Sequence, residues 1–138
     1  MNLDERIMEL LGKGYHCSQV MMQLSMDLRG IDSPFTMRAL GALGGGMFAQ
    51  RTCGTLTGGV CALSSYFPRG DGEAEPRDYQ PPARELVEWF EAENGSVDCR
   101  DLVQFSVEAI MQFCPGLMAR TFEKCAEILE AHGIDPTE

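Results

Sequence analysis

Basic residues are scarce in this chain. Its 138 residues carry 11 Lys and Arg against 21 Asp and Glu, a formal net charge of −10. Nucleic acid and anionic membrane surfaces both need a basic footprint, so neither is expected as a partner. Long apolar runs are missing as well, and none approaches the roughly 20 residues that cross a bilayer, so membrane insertion is not expected. The first residues, Met1 to Arg6, are acidic and polar, with no basic stretch leading into an apolar one. No secretory signal is visible there, and a cytoplasmic location is the expectation. No G-x-G-x-x-G or Walker-type loop is present, and the two histidines give a Cys–His hydrolase little support.

The chain does have six cysteines, at 17, 53, 61, 99, 114 and 125, yet no C-x2-C pair among them. Zinc-ribbon, thioredoxin and bacterial ferredoxin patterns are therefore excluded. In a reducing compartment a set of cysteines points to metal binding or catalysis before structural disulfides. Any shared site has to be assembled from distant parts of the chain.

No segment sustains a two-residue alternation, and neither an internal repeat nor a low-complexity tract is found. Apolar residues recur instead at helical spacing. Leu3, Ile7, Leu10 and Leu11 predict a first helix, capped by Asn2 or Asp4 and stopped by Gly12 and Gly14. Cys17, Val20, Met21, Leu24 and Leu28 form a second stripe closed at Gly30. Ser33-Pro34 starts a third, with Phe35, Ala39, Leu40 and Leu43 on one face. A helix from about Cys53 to Tyr66 carries Leu56, Val60 and Leu63. Pro68 to Pro82, rich in glycine, proline and acids, reads as an exposed loop. Ala83 to Glu93 is a helix with Leu86, Val87, Trp89 and Phe90 inward. Another is capped by Asp98 or Ser96 and runs from about Cys99 to Phe113, and Cys114-Pro115 opens the last, with Met118, Phe122, Cys125 and Leu129 on one stripe. The expected fold is all-α: a compact bundle of six to seven helices, one domain over residues 1–138, with one long surface loop at 68–82.

Glycine is concentrated between Gly41 and Leu63, which hold seven of the chain's 15 glycines. Ordering glycine costs conformational entropy, so such a run implies positive φ or close backbone approach. A Gly44-Gly45-Gly46 bend is expected to deliver Cys53 to the start of a closely packed helix. Gly45, Gly46, Gly54 and Gly58 are the positions where backbone is expected close to a bound group. Cys17, Cys53, Cys99 and Cys114 all fall at or next to predicted helix N-termini, where unpaired N–H groups and the helix dipole lower a thiol pKa. Arg51 and Arg100 stand near two of them in sequence, and His16 is a candidate ligand beside Cys17. Cys61 lies about 12 Å along the helix from Cys53, too far for an undistorted disulfide, and with Cys125 it reads as a small core residue.

Five stretches occur in a familiar order: Tyr15-His16-Cys17-Ser18, Gly44-Gly45-Gly46-Met47, Cys53 through Gly59, Gly95 through Leu102, and Cys114-Pro115. Together they resemble the C_GCAxxG_C_C family of redox-active proteins, across nearly the whole chain. The family's four cysteines correspond to Cys17, Cys53, Cys99 and Cys114, the set reached from helix starts, and Thr55 stands where the family carries alanine. That family is similar to the non-haem part of split-Soret cytochromes, which implies an iron–sulfur cluster, two-iron in type, held by the four thiolates. An electron-transfer role with a redox partner protein follows from this. Two alternatives use the same residues: a thiol–disulfide redox protein, or a non-enzymatic helical module that binds zinc or docks a partner. An exposed apolar helix face would be compatible with a homodimer.

Overall fold

A computed structural model describes residues 1–67 and 79–138. Seven α-helices are found among them: α1 (Leu3–Gly12), α2 (Cys17–Arg29), α3 (Pro34–Leu40), α4 (Gly54–Ser64), α5 (Gln80–Asn94), α6 (Cys99–Leu102) and α7 (Val107–Ala131). No β-strand is present among the described residues, so the fold is all-α. None of the described helices is long and apolar enough to cross a membrane. Residues 68–78 of the expected loop lie outside the described part. At its far end α5 has already begun by Gln80, with prolines in its first turn, where a missing N–H costs nothing.

The start of the chain follows its local signals. Asn2 Oδ1 accepts the Glu5 N–H at 2.8 Å and the Glu5 carboxylate accepts the Asn2 N–H at 3.4 Å, a reciprocal cap that opens α1. Gly30, with φ 64°, closes α2. Ser33 caps α3 behind Pro34. The inward faces differ in detail from the expected stripes. Met37 and Leu40 are the buried residues of α3 while Phe35 is 75 % exposed, and on the later helices Leu86 and Phe90 are buried while Val87 faces outward. On each of these helices only a narrow stripe is buried.

The largest departure is α7. Sequence signals place one helix end at Phe113 and a new start at Cys114-Pro115. Instead α6 stops after four residues, Val103 is extended at φ −153°, and Ser106 caps a single 25-residue helix that runs through Pro115. Proline inside a helix removes one hydrogen bond and costs about 3 kcal/mol. The cost is met by packing: Leu117 and Met118 continue the stripe of Ile110, Phe113 and Cys114 in one helical phase and are fully buried.

The core has α4 and α7 at its centre. Leu56 and Leu63 of α4 meet Leu86 and Phe90 of α5 and Leu117, Ile128 and Leu129 of α7. A second cluster joins Ile7 and Leu10 of α1 to Val20, Met21 and Leu24 of α2 and Met118 of α7. A third packs Met22 and Met26 against Met37, Leu40 and Ala62.

The glycines decide how closely α2 approaches. A Cβ on Gly44 would lie 2.5 Å from His16 Cβ, one on Gly54 would lie 2.6 Å from Cys17 Sγ, and one on Gly58 would lie 2.5 Å from the Ser18 carbonyl oxygen. Three consecutive residues at the start of α2 thus each rest on a glycine. Ser18 Oγ, fully buried, donates to the Leu40 carbonyl at 2.7 Å and ties the same point to α3.

Candidate functional site

After a short 3₁₀ turn at Gly41–Leu43 the backbone reverses hand. Gly45, Gly46, Met47 and Phe48 take φ values of 58°, 62°, 61° and 55° in succession, and Gln50 follows at 57°. Left-handed backbone costs an L-residue roughly 1–2 kcal/mol, so Met47, Phe48 and Gln50 are strained. The Arg51 N–H closes the turn on the Gly46 carbonyl at 3.1 Å, so tightly that a Cβ on Gly46 would overlap Arg51 backbone. Phe48 meets His16 edge to face, ring centroids 5.0 Å apart.

The turn delivers Arg51–Cys53 into a single antiparallel bridge. Thr52 lies opposite Asp98, the Cys53 N–H donates to the Val97 carbonyl at 2.8 Å, and the Cys99 N–H donates to the Arg51 carbonyl at 2.7 Å. Alternation along extended backbone sends Cys53 and Cys99 to the same side of this bridge. Two thiols 46 positions apart in sequence are thereby fixed to one another by main chain.

Cys17, Cys53, Cys99 and Cys114 all line one cavity of about 370 Å³. They come from the first turn of α2, the N-cap of α4, the start of α6 and the middle of α7. All six cysteines are free thiols. Cys61 and Cys125 are not in the cavity wall. Cys61 packs with the methionine-rich cluster, and the Cys125 thiol lies in the central core, 3.8 Å from the Gly59 carbonyl. Of the four glycines expected near a bound group, Gly45 and Gly54 line the cavity, while Gly46 and Gly58 serve the tight turn and the α2–α4 contact. No three of the described His, Cys, Asp and Glu side chains stand close enough to hold a single metal ion.

Electrostatics at the site run opposite to the helix-start expectation. Burial pushes the Cys53 thiol up to about 11, with the neighbouring Cys17 adding to it, against the N–H groups of Thr55 and Leu56 and the Thr55 hydroxyl, which favour its thiolate. Burial also raises Cys114, to about 12, and the other three thiols each add to the shift. Cys99 is raised by burial and by Cys17. Apolar walls therefore outweigh the helix N-terminus, and for Cys114, in mid-helix, there is no N-terminus to oppose them. Arginines play no part: Arg100 leans toward Asp98 at 3.9 Å, and Arg51 is exposed.

His16 sits exposed at the cavity's edge, its backbone N–H donating to Gln19 Oε1 at 2.9 Å. Sequence reasoning missed Phe48 and Phe105, which flank the cavity while remaining 59 % and 52 % exposed. It also missed the bridge, for which a two-residue contact leaves no periodic signal.

Cys125 offers a test of burial away from the site. Its thiol is raised from 9.0 to about 12 by desolvation. Between those values the folded chain holds a proton that the unfolded chain has lost, so this contribution to stability is intact below about pH 9 and declines as pH rises toward 12. The stability advantage of the wild type over Cys125→Ala is expected to shrink above pH 9, by at most about 1.4 kcal/mol per pH unit. Denaturant midpoints measured from pH 8 to 11 check it; parallel curves would contradict the assignment.

Residues 15–128 match the family described as "Putative redox-active protein (C_GCAxxG_C_C)". No curated protein and no solved structure matches the chain.

Proposed function

The chain belongs to the C_GCAxxG_C_C family of redox-active proteins, and from that premise we propose that Cys17, Cys53, Cys99 and Cys114 form its redox centre. The observation that carries this reading is their convergence on one cavity, which leaves out Cys61 and Cys125. The donor set suits an iron–sulfur cluster of the two-iron type, which takes two thiolates at each iron and does not need three around one ion. When bound, such a cluster supplies one-electron transfer. The chain's own residues have distinct parts in this. The bridge at Thr52 and Asp98 sets Cys53 against Cys99. The N–H groups of Thr55 and Leu56 favour negative charge on the Cys53 sulfur. Leu102, Ile110, Phe113 and Leu117 give the sulfurs apolar walls. A cytoplasmic setting, where thiols stay reduced, fits such a centre.

A second reading has one observation in its favour: the Cys17 sulfur rests against Gly54, next to Cys53, and both are free thiols. As a dithiol this pair would give up two electrons and two protons to an oxidant as one S–S bond forms. One experiment separates the readings. Expression and purification without oxygen should give a coloured protein with about two iron and two sulfide per chain. A colourless protein that resists reconstitution sinks the cluster, and alkylation before and after reduction then shows whether Cys17 and Cys53 cycle instead.

A further inference from the structure

The first turns of α7 lack a cover. No residue from 100 to 116 is buried, although Leu102, Phe105, Ile110, Met111 and Phe113 are among them. Ile110 and Phe113 line the cavity. Val107 and Met111, four residues apart and so on one face of the helix, are exposed, Val107 by 79 %. Phe105 lies two residues before Val107, and a Cβ on Gly45 would stand 3.3 Å from its ring and 3.8 Å from that of Phe48. Met47 and Phe48 are both exposed on left-handed backbone, and no burial within the chain offsets that strain.

Charge avoids this face. Residues 41–50 contain no Asp, Glu, Lys or Arg, and residues 102–116 contain only Glu108, in a chain that is 23 % charged. Two copies at −10 each repel one another, and this is the approach on which the repulsion is least. A transient redox partner is steered by complementary charge, which the face does not offer. Phe and Met without Lys or Asp are the composition of an interface core, and so apolar a core belongs to homodimers. The exposed parts of Met47, Phe48, Phe105, Val107 and Met111 amount to roughly 500 Å², close to the about 65 % apolar share of the ~800 Å² that each partner gives to a standard interface.

We infer that this face joins two copies of the chain about a two-fold axis, and that the second copy closes the mouth of the cysteine cavity. Val107, Met111 and Pro115 form one stripe at four-residue steps, symmetric about Met111. Antiparallel α7 helices crossing at Met111 set Val107 of each copy on Pro115 of the other, so the stripe is its own complement. Phe48 and Phe105, which flank the cavity, come under the second copy in the same arrangement. This goes beyond the redox reading and stands whether the four thiols hold a cluster or cycle as a dithiol.

Sedimentation velocity tests it on the full chain, metal-free and kept reduced so that no disulfide links the copies. At about 10 μM the wild type should sediment as a dimer of the 15.2 kDa chain. Val107→Glu and Met111→Glu each enter a two-fold interface twice, and each should weaken dimerisation at least about tenfold. Phe35→Glu, on α3 and 75 % exposed, should leave it unchanged. Cys17 and Cys114, both half-buried, should react with a bulky maleimide several-fold faster in Val107→Glu than in the wild type. A wild type of single-chain mass at about 100 μM would overturn the inference and assign the face to a different partner. A dimer that survives both glutamates, or one that Phe35→Glu dissociates, would overturn it as well, as would equal maleimide rates in dimer and monomer. Because no iron is present, any of these results leaves the proposed redox centre standing, just as an iron-free protein would leave the dimer standing.

Discussion

Replacing Cys114 with serine is expected to remove the proposed redox centre while leaving the helices in place. Cys114 is the thiol on which the other three all act electrostatically, and it is the one contributed by the long helix that closes the cavity. Serine there keeps the shape but is a hard, weakly ionised oxygen where a soft thiolate is needed. Iron and sulfide content after oxygen-free preparation should fall at least about tenfold relative to the wild type, with far-UV circular dichroism unchanged. Cys61→Ser, outside the cavity, should keep the full content. A Cys114→Ser protein with wild-type iron would mean that the centre does not use all four thiols.

The second large effect is on stability. Gly58→Ala would place a Cβ 2.5 Å from the Ser18 carbonyl oxygen and 2.7 Å from its Cα. Both are main-chain atoms of α2 that cannot step aside as a side-chain end can. Forced overpacking typically costs about 1–3 kcal/mol, and a backbone-to-backbone clash belongs at or above the upper end of that range. At roughly 4 °C per kcal/mol for a chain of this size, thermal denaturation should show a midpoint about 10 °C lower. Gly59→Ala is the contrast. Its Cβ would find neighbours at 3.4–3.5 Å, ordinary contact, and the gain in helix propensity should leave stability equal or slightly higher. If the two variants melt together, the close approach of α2 to α4 is not what Gly58 provides. Because Cys17 precedes Ser18, the unstable variant should also disturb the proposed redox centre.

The helices were legible where the chain carries its own punctuation. Asn2, Gly30 and Ser33-Pro34 mark ends that the fold uses as written, since caps act on the residues beside them. The same local logic misplaced Cys114. Proline after a cysteine looks like a helix start, and only the apolar stripe on both sides, buried against α1, α4 and α5, shows why the helix continues. The glycine run was legible as close approach, but not what approaches. That His16, Cys17 and Ser18 seat on Gly44, Gly54 and Gly58 is a fact of the α2–α4 contact and leaves no trace in spacing. The direction of the thiol shifts was illegible for a related reason. A helix start is local and can be read, whereas desolvation is set by the packing of residues distant in sequence.

Pro115 has one more implication. Its ring nitrogen cannot donate, so the Met111 carbonyl lacks its usual partner one turn along. The helix is therefore weakest within a turn of the residue that carries its sulfur. Bending there would swing Ile110 and Phe113 relative to Leu117 and Met118, opening or narrowing the space between them while the lower half of α7 stays anchored in the core. The same rod that supports the bundle thus has its fewest backbone hydrogen bonds beside the cavity that Cys114 lines.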